Sequence, residues 1–212
     1  ADTCGPDAVR ATWADAELAG GGPGGGDGTV SGAWSALGEM GVLGMCVPAE
    51  HGGLGMTEED LVPLLVEVGR SGLPEPVSSS AGVAVSTLDR FAPAGVATEW
   101  LPRLARGEVR VGVGFGPDRD GGGRPVVTQA AVCDVFLLFD RGEVHLVKPD
   151  RVDLHPVESV DGARHLATVA WDSHEDTLLV GSAAGFEATN SAFDRAALGT
   201  AAMLVGLSRR ML

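Results

Sequence analysis

Histidines, cysteines and closely spaced carboxylates are the residues of this sequence best suited to chemistry, and their spacing limits what they can do. His51, His145, His155, His165 and His174 are scattered. None pairs with a serine or cysteine in a recognisable nucleophile–base triad, so they read as surface or turn residues. Cys4, Cys46 and Cys133 are odd in number and far apart, with no C-x-x-C pair. That spacing argues against a disulfide framework and a structural zinc site, and reads as reduced thiols of a cytosolic protein. Asp118 and Asp120 resemble an acid–base pair, but three glycines follow them, and a solvated turn is the simpler reading. Residues 20–28 hold seven glycines. A phosphate-cradling loop would need a strand before that tract and Gly-Lys-Ser/Thr after it; neither is present, so the tract reads as a flexible tether.

The composition narrows the classes further. The chain has 212 residues, 29 acidic against 15 basic side chains and a net charge of −14. A nucleic-acid binder needs cations to displace counterions from phosphates, so nucleic acid is not an expected partner. Hydrophobic residues make up 44%, enough for a folded core. No apolar run reaches the roughly 18–20 residues that span a bilayer, and no basic segment followed by an apolar one opens the sequence. A membrane is therefore not an expected partner, and the expected location is the cytoplasm.

The elements that would position any site fall into three blocks. Residues 1–30 read as a weak helical stretch and the glycine tether. From there to residue 107 the hydrophobic period is helical. Trp34 and Leu37 lie one turn apart, and Gly41 suits a left-handed helix end. Thr57 caps a helix with Asp60 completing a capping box, and Leu61, Leu64, Leu65 and Val68 form its buried face. Pro63 predicts a distortion there. Ser79–Phe91 reads as another helix, and Thr98–Ala105 as a short one capped by Thr98 and ended by Gly107. Over residues 108–186 the period becomes two. Strands are expected at 108–115, 132–139, 144–147, 152–157, 166–171 and 177–180, with Arg141-Gly142 turning a hairpin. Short strands without intervening helices predict a small antiparallel barrel or sandwich. From 187 the helical period returns. Phe193, Ala197, Thr200, Leu204, Leu207 and Met211 form a stripe that needs a partner and runs on to Leu212 without a stop signal, as in a helix that is cut off. The expected fold class is α+β: an all-α N-terminal domain, a small β domain and the first helix of a C-terminal bundle.

This order of parts, and several local motifs, resembles the acyl-CoA dehydrogenase family. Residues 34–55, WSALGEMGVLGMCVPAEHGGLG, are similar to the family's Trp, Leu-Gly-x-x-Gly and Val-Pro-Glu-x-x-Gly-Gly-x-Gly, with Glu50 one place late and His51 at a site often aromatic. Glu67-Val-Gly-Arg70 and Trp100-Leu-Pro-Arg-Leu-Ala-Arg-Gly-Glu108 resemble the segments that follow. Gly185-Phe186, Asp194-Arg195 and Gly206 resemble the start of the C-terminal bundle. The Trp-Ile-Thr-Asn motif corresponds to Val126-Val-Thr-Gln129, and Asp134 to a later Ala-Asp. The family's Thr-Glu-Pro-Gly-x-Gly-Ser-Asp loop is rewritten from Phe115 to Asp120, where Pro117 alone fits, and only residues 119–124 fill a gap that holds two strands in the family.

The resemblance implies α,β-dehydrogenation of an acyl-CoA thioester with FAD, as in fatty-acid metabolism. It implies Phe115, Thr128 and Gln129 as cofactor-binding residues, Thr128 being placed to meet the flavin ring. The family's catalytic base is a Glu on the C-terminal bundle, and no residue here matches it, so no catalytic residue is assigned and the chain is not expected to be active alone. The readings left open are a subunit or fragment of such an enzyme, within a homo- or hetero-oligomer that includes an acyl-CoA dehydrogenase subunit; a binding or structural partner that keeps the fold without the flavin; and a small ligand-carrying β domain.

Overall fold

A computed structural model of the chain describes residue 5 and residues 7–12, 29–116 and 123–212. The glycine tract at residues 20–28 and the loop holding Asp118 and Asp120 lie outside the described residues. The fold is α+β. Its helical part includes residues 7–12, α1 (Ala33–Glu39), α2 (Glu58–Ser71), a π-helical segment (Ser78–Ala84) that runs directly into α3 (Val85–Phe91), and α4 (Ala94–Ala105). Among the described residues seven strands follow: β1 (Val111–Phe115), β2 (Val126–Thr128), β3 (Val135–Asp140), β4 (Glu143–Val147), β5 (Val152–Val157), β6 (Leu166–Trp171) and β7 (Leu178–Val180). A helix, α5 (Ser182–Met211), closes the order.

Local chemistry explains most of these boundaries. At the start of α2 the Thr57 backbone N–H and hydroxyl both donate to Asp60 Oδ2, each at 2.9 Å, and the helix runs on through Pro63. Arg141 and Gly142 both take positive φ (49° and 79°), the primed turn that matches strand twist and joins β3 to β4. Two expectations need correction. α4 begins at Ala94 behind Pro93, so Thr98 is inside the helix and not its cap; proline's fixed φ suits a helix start. α5 begins at Ser182, earlier than the helical period suggested. Gly185, inside this helix, is a close-approach position, because a Cβ there would sit 1.7 Å from the Gly142 carbonyl oxygen.

The strands form a four-stranded sheet, β1-β3-β4-β7, and a three-stranded sheet, β2-β6-β5. Their facing sides share an apolar layer that includes Val127, Phe136, Leu138, Val147 and Val169. The expectation of purely antiparallel pairing also needs correction: β1 pairs with β3 in parallel, Val111 opposite Val135 through Phe115 opposite Phe139. A parallel pair needs a crossover between its strands, and here the chain visits β2 in the other sheet before it returns as β3.

The other face of the large sheet packs on the helices. Val83, Leu88, Leu101 and Leu104 form one core with Val135, Leu137, Phe139, Ala188 and Ala192. α5 packs through its small residues, burying Gly185, Ala188, Ala192, Gly199, Ala202 and Gly206. Its large stripe faces outward, with Phe193 60%, Leu204 53% and Met211 73% exposed. Among the described residues no helix is long and apolar enough to cross a membrane.

Candidate functional site

Phe115, Thr128 and Gln129, far apart in sequence, line one cleft of about 380 Å³. The other walls come from the end of α2 (Val68, Gly69), the segment Leu73–Ser79, and α5 (Ala196, Thr200, Met203, Leu204, Leu207). Each candidate is placed by its own element. Phe115 ends β1; its ring stacks on Phe139 at 5.0 Å and meets the edge of Phe193 at 5.7 Å. Thr128 ends β2, opposite Leu166 of β6. Gln129 follows in the left-handed region, with φ 55°. It is 5% exposed. Its Nε2 donates to the Ala163 carbonyl oxygen at 2.6 Å, and its backbone N–H donates to the His165 carbonyl oxygen at 3.1 Å. Its Oε1 is buried and has no hydrogen-bond partner in the structure. A buried acceptor of this kind calls for a donor, which a water or a bound molecule can supply.

Three charged side chains line the cleft among the described residues: Glu75, Asp161 and Arg164. The Glu75 side chain is sealed from solvent and pairs through Oε2 with Arg110 Nε at 3.2 Å. Arg110 lies over the Trp34 ring at 4.9 Å, and the Trp34 indole N–H donates to the Gly107 carbonyl oxygen at 2.9 Å. Asp134 accepts the Arg110 backbone N–H on its carboxylate at 2.7 Å and donates its own N–H to the Arg110 carbonyl oxygen at 2.9 Å. The helical wall of the cleft is thus locked to the start of β3 through one arginine. Asp161 accepts from the Ala163 N–H at 3.1 Å and so shapes the turn that carries Arg164. Sequence reasoning missed Asp161, Arg164, Ser78 and Ser79; the Asp161-Gly-Ala turn signature and the serine run were the visible signals.

The histidine reading needs a correction. His145 is neither at the surface nor in a turn: it lies on β4 and is 2% exposed. The Thr177 hydroxyl donates to the His174 carbonyl oxygen at 2.8 Å. It therefore accepts from the His145 Nδ1–H, 3.1 Å away. Nε2 faces Ser173 Oγ and Glu143 Oε2, each at 3.4 Å. The ring thereby ties the turn before β7 to β4. Burial also accounts for the thiols: it pushes the Cys133 thiol up to about 12 and Cys46 up to about 11. Among the described residues no group of three His, Cys, Asp or Glu side chains is placed to hold a metal ion.

Residues 26–108 match the family model of the acyl-CoA dehydrogenase N-terminal domain. None of the curated proteins compared matches the chain. Many solved structures share its fold. An FAD-dependent dehydrogenase superposes with a TM-score of 0.71 at 14% identity, over 97% of this chain and 65% of that one. FkbI, for biosynthesis of a methoxymalonyl extender unit, gives 0.70 at 25% identity, over 96% and 65%. A glutaryl-coenzyme A dehydrogenase in complex with glutaryl-CoA gives 0.70 at 17%, over 85% and 56%. The chain thus spans less than two thirds of the length of each. Residues 26–108 thus resemble the acyl-CoA dehydrogenase N-terminal domain, and the fold that continues from them is similar to that of solved acyl-CoA and FAD-dependent dehydrogenases.

Proposed function

We propose that this chain is a subunit or fragment of a flavin-dependent acyl-CoA dehydrogenase, and that the cleft lined by Phe115, Thr128 and Gln129 is where flavin and acyl thioester meet. The observation that carries this reading is the convergence of those three residues on one cleft with a buried, unpartnered acceptor, Gln129 Oε1. The residues present fit a flavin ring: an apolar wall at Phe115 and Val113, the Thr128 hydroxyl, and an acceptor for an imide-type N–H. When bound, FAD supplies the two-electron acceptor for a β-hydride, while a carboxylate takes the α-proton of the thioester. The lining carboxylates suit other work, since Glu75 is sealed in its pair with Arg110 and Asp161 shapes a turn. The base is therefore assigned to the C-terminal bundle of the whole enzyme or to a partner subunit.

The domain division at 30, 107 and 186, and a cytoplasmic heteromer or homo-oligomer assembled through the outer stripe of α5, belong to the same proposal. A second reading, a structural partner that has lost the flavin, is favoured by one observation: Phe139 and Phe193 already pack against the Phe115 ring. Flavin fluorescence and dye reduction test both. The expected result is saturable FAD binding without turnover of an acyl-CoA panel by the isolated chain. Turnover above a buffer control would show that the base has been misplaced; absence of FAD binding would select the second reading.

A further inference from the structure

We propose that Arg164 is the phosphate-contacting residue of the cleft and that Gln129 positions it. The inference rests on the reading of the cleft as a ligand site. Arg164 is the single cation lining the cleft among the described residues. Its side chain is half exposed, and its Nε stands 3.8 Å from Asp161 Oδ2, too far for a firm hydrogen bond. A guanidinium on a cleft wall supplies an anionic ligand with a docking point of fork geometry. What distinguishes Arg164 from a surface arginine is how its backbone is held. Gln129 binds the residues on both sides of it: Nε2 donates to the Ala163 carbonyl oxygen at 2.6 Å and the backbone N–H to the His165 carbonyl oxygen at 3.1 Å. The clamp is set in uncommon backbone conformations, with φ 55° at Gln129 and 25° at His165. Non-glycine residues keep such angles only where surrounding contacts enforce them. The Arg164 N–H donates to the Asp161 carbonyl oxygen at 3.1 Å, closing the turn from within. The ligand group is a phosphate, from either a flavin nucleotide or the coenzyme A part of a thioester.

Equilibrium binding to the full chain separates these sources. The probes are FAD, riboflavin, butyryl-CoA and a butyryl thioester of N-acetylcysteamine, which lacks phosphate. Arg164→Ala is expected to weaken FAD or butyryl-CoA about tenfold, whichever supplies the phosphate, and to leave the phosphate-free counterpart unchanged. Added salt should weaken the parent's binding of that ligand and hardly affect the variant's. Gln129→Ala, with folding checked by circular dichroism, should weaken the phosphate ligand relative to its phosphate-free counterpart by the same factor, and in that ratio the double variant should be no worse than Arg164→Ala alone. Unchanged binding of both phosphate ligands by Arg164→Ala overturns the proposal and leaves the cleft reading intact. Full additivity in the double variant overturns the positioning role of Gln129. A parent chain that binds none of the four probes overturns the cleft reading, and this inference with it.

Discussion

Arg110 meets partners from three parts of the chain. Its guanidinium stacks on Trp34 of α1 and pairs with Glu75, while its backbone exchanges two hydrogen bonds with Asp134. Removing one partner of such a buried pair leaves the other charge uncompensated. Glu75→Ala is expected to destabilise the chain by about 3 kcal/mol, read as a lower urea midpoint at unchanged slope. At this scale the sequence was partly legible. The Trp-Ile-Thr-Asn resemblance singled out Thr128 and Gln129, and both line the cleft. Arg164 was not legible, because its setting depends on a side chain 34 residues away from Ala163 and on backbone angles that no residue pattern announces.

Helix ends and helix faces obey different rules, and they were legible to different degrees. The capping box of α2 was readable because it is written in four consecutive residues. Its hydrogen bonds from the Thr57 N–H, and secondarily from the hydroxyl, hold the Asp60 carboxyl below its ordinary value. The stabilisation is therefore fully present above the unfolded pKa, about 4, and is lost as pH falls through the lower folded value. Asp60→Asn is expected to remove that part of the acid response, seen as a flatter helical signal between pH 5 and pH 2. The packing face of α5 was not readable. Apolar periodicity selects large side chains, whereas this helix buries glycines and alanines, and a Cβ at Gly206 would lie 1.8 Å from the Val66 carbonyl oxygen of α2. Gly206→Ala should cost about 2 kcal/mol through forced separation of the helices, whereas Leu204→Ser, on the outer stripe, should stay within about 0.5 kcal/mol of the parent. Thermal melts compare the two.

At the scale of the whole molecule, the alternation of helical and two-residue periods was enough to order the parts, since each period is a local property. The parallel β1–β3 pair and the shared helix–sheet core were hidden, because both join residues that are distant in sequence. The outer stripe of α5 exposes Phe193, Leu204, Leu207 and Met211 on one helix face, and a contiguous apolar face of this kind marks an interaction surface. The Leu204→Asp/Leu207→Asp double variant is expected to fold and to scatter light as a smaller particle than the parent; a parent that is already monomeric would refute the assembly. The inner face of the same helix bears on the order in which the chain can mature during synthesis. Gly69 on α2 leaves space for the Met203 backbone, and the Arg210 side chain donates to the Arg70 carbonyl oxygen from 140 residues away. The helical part is therefore finished by residues made long after it leaves the ribosome, and until they arrive it presents an open groove of backbone and small side chains. The segment that matches the family model, residues 26–108, thus completes part of its packing only against residues that lie far beyond it.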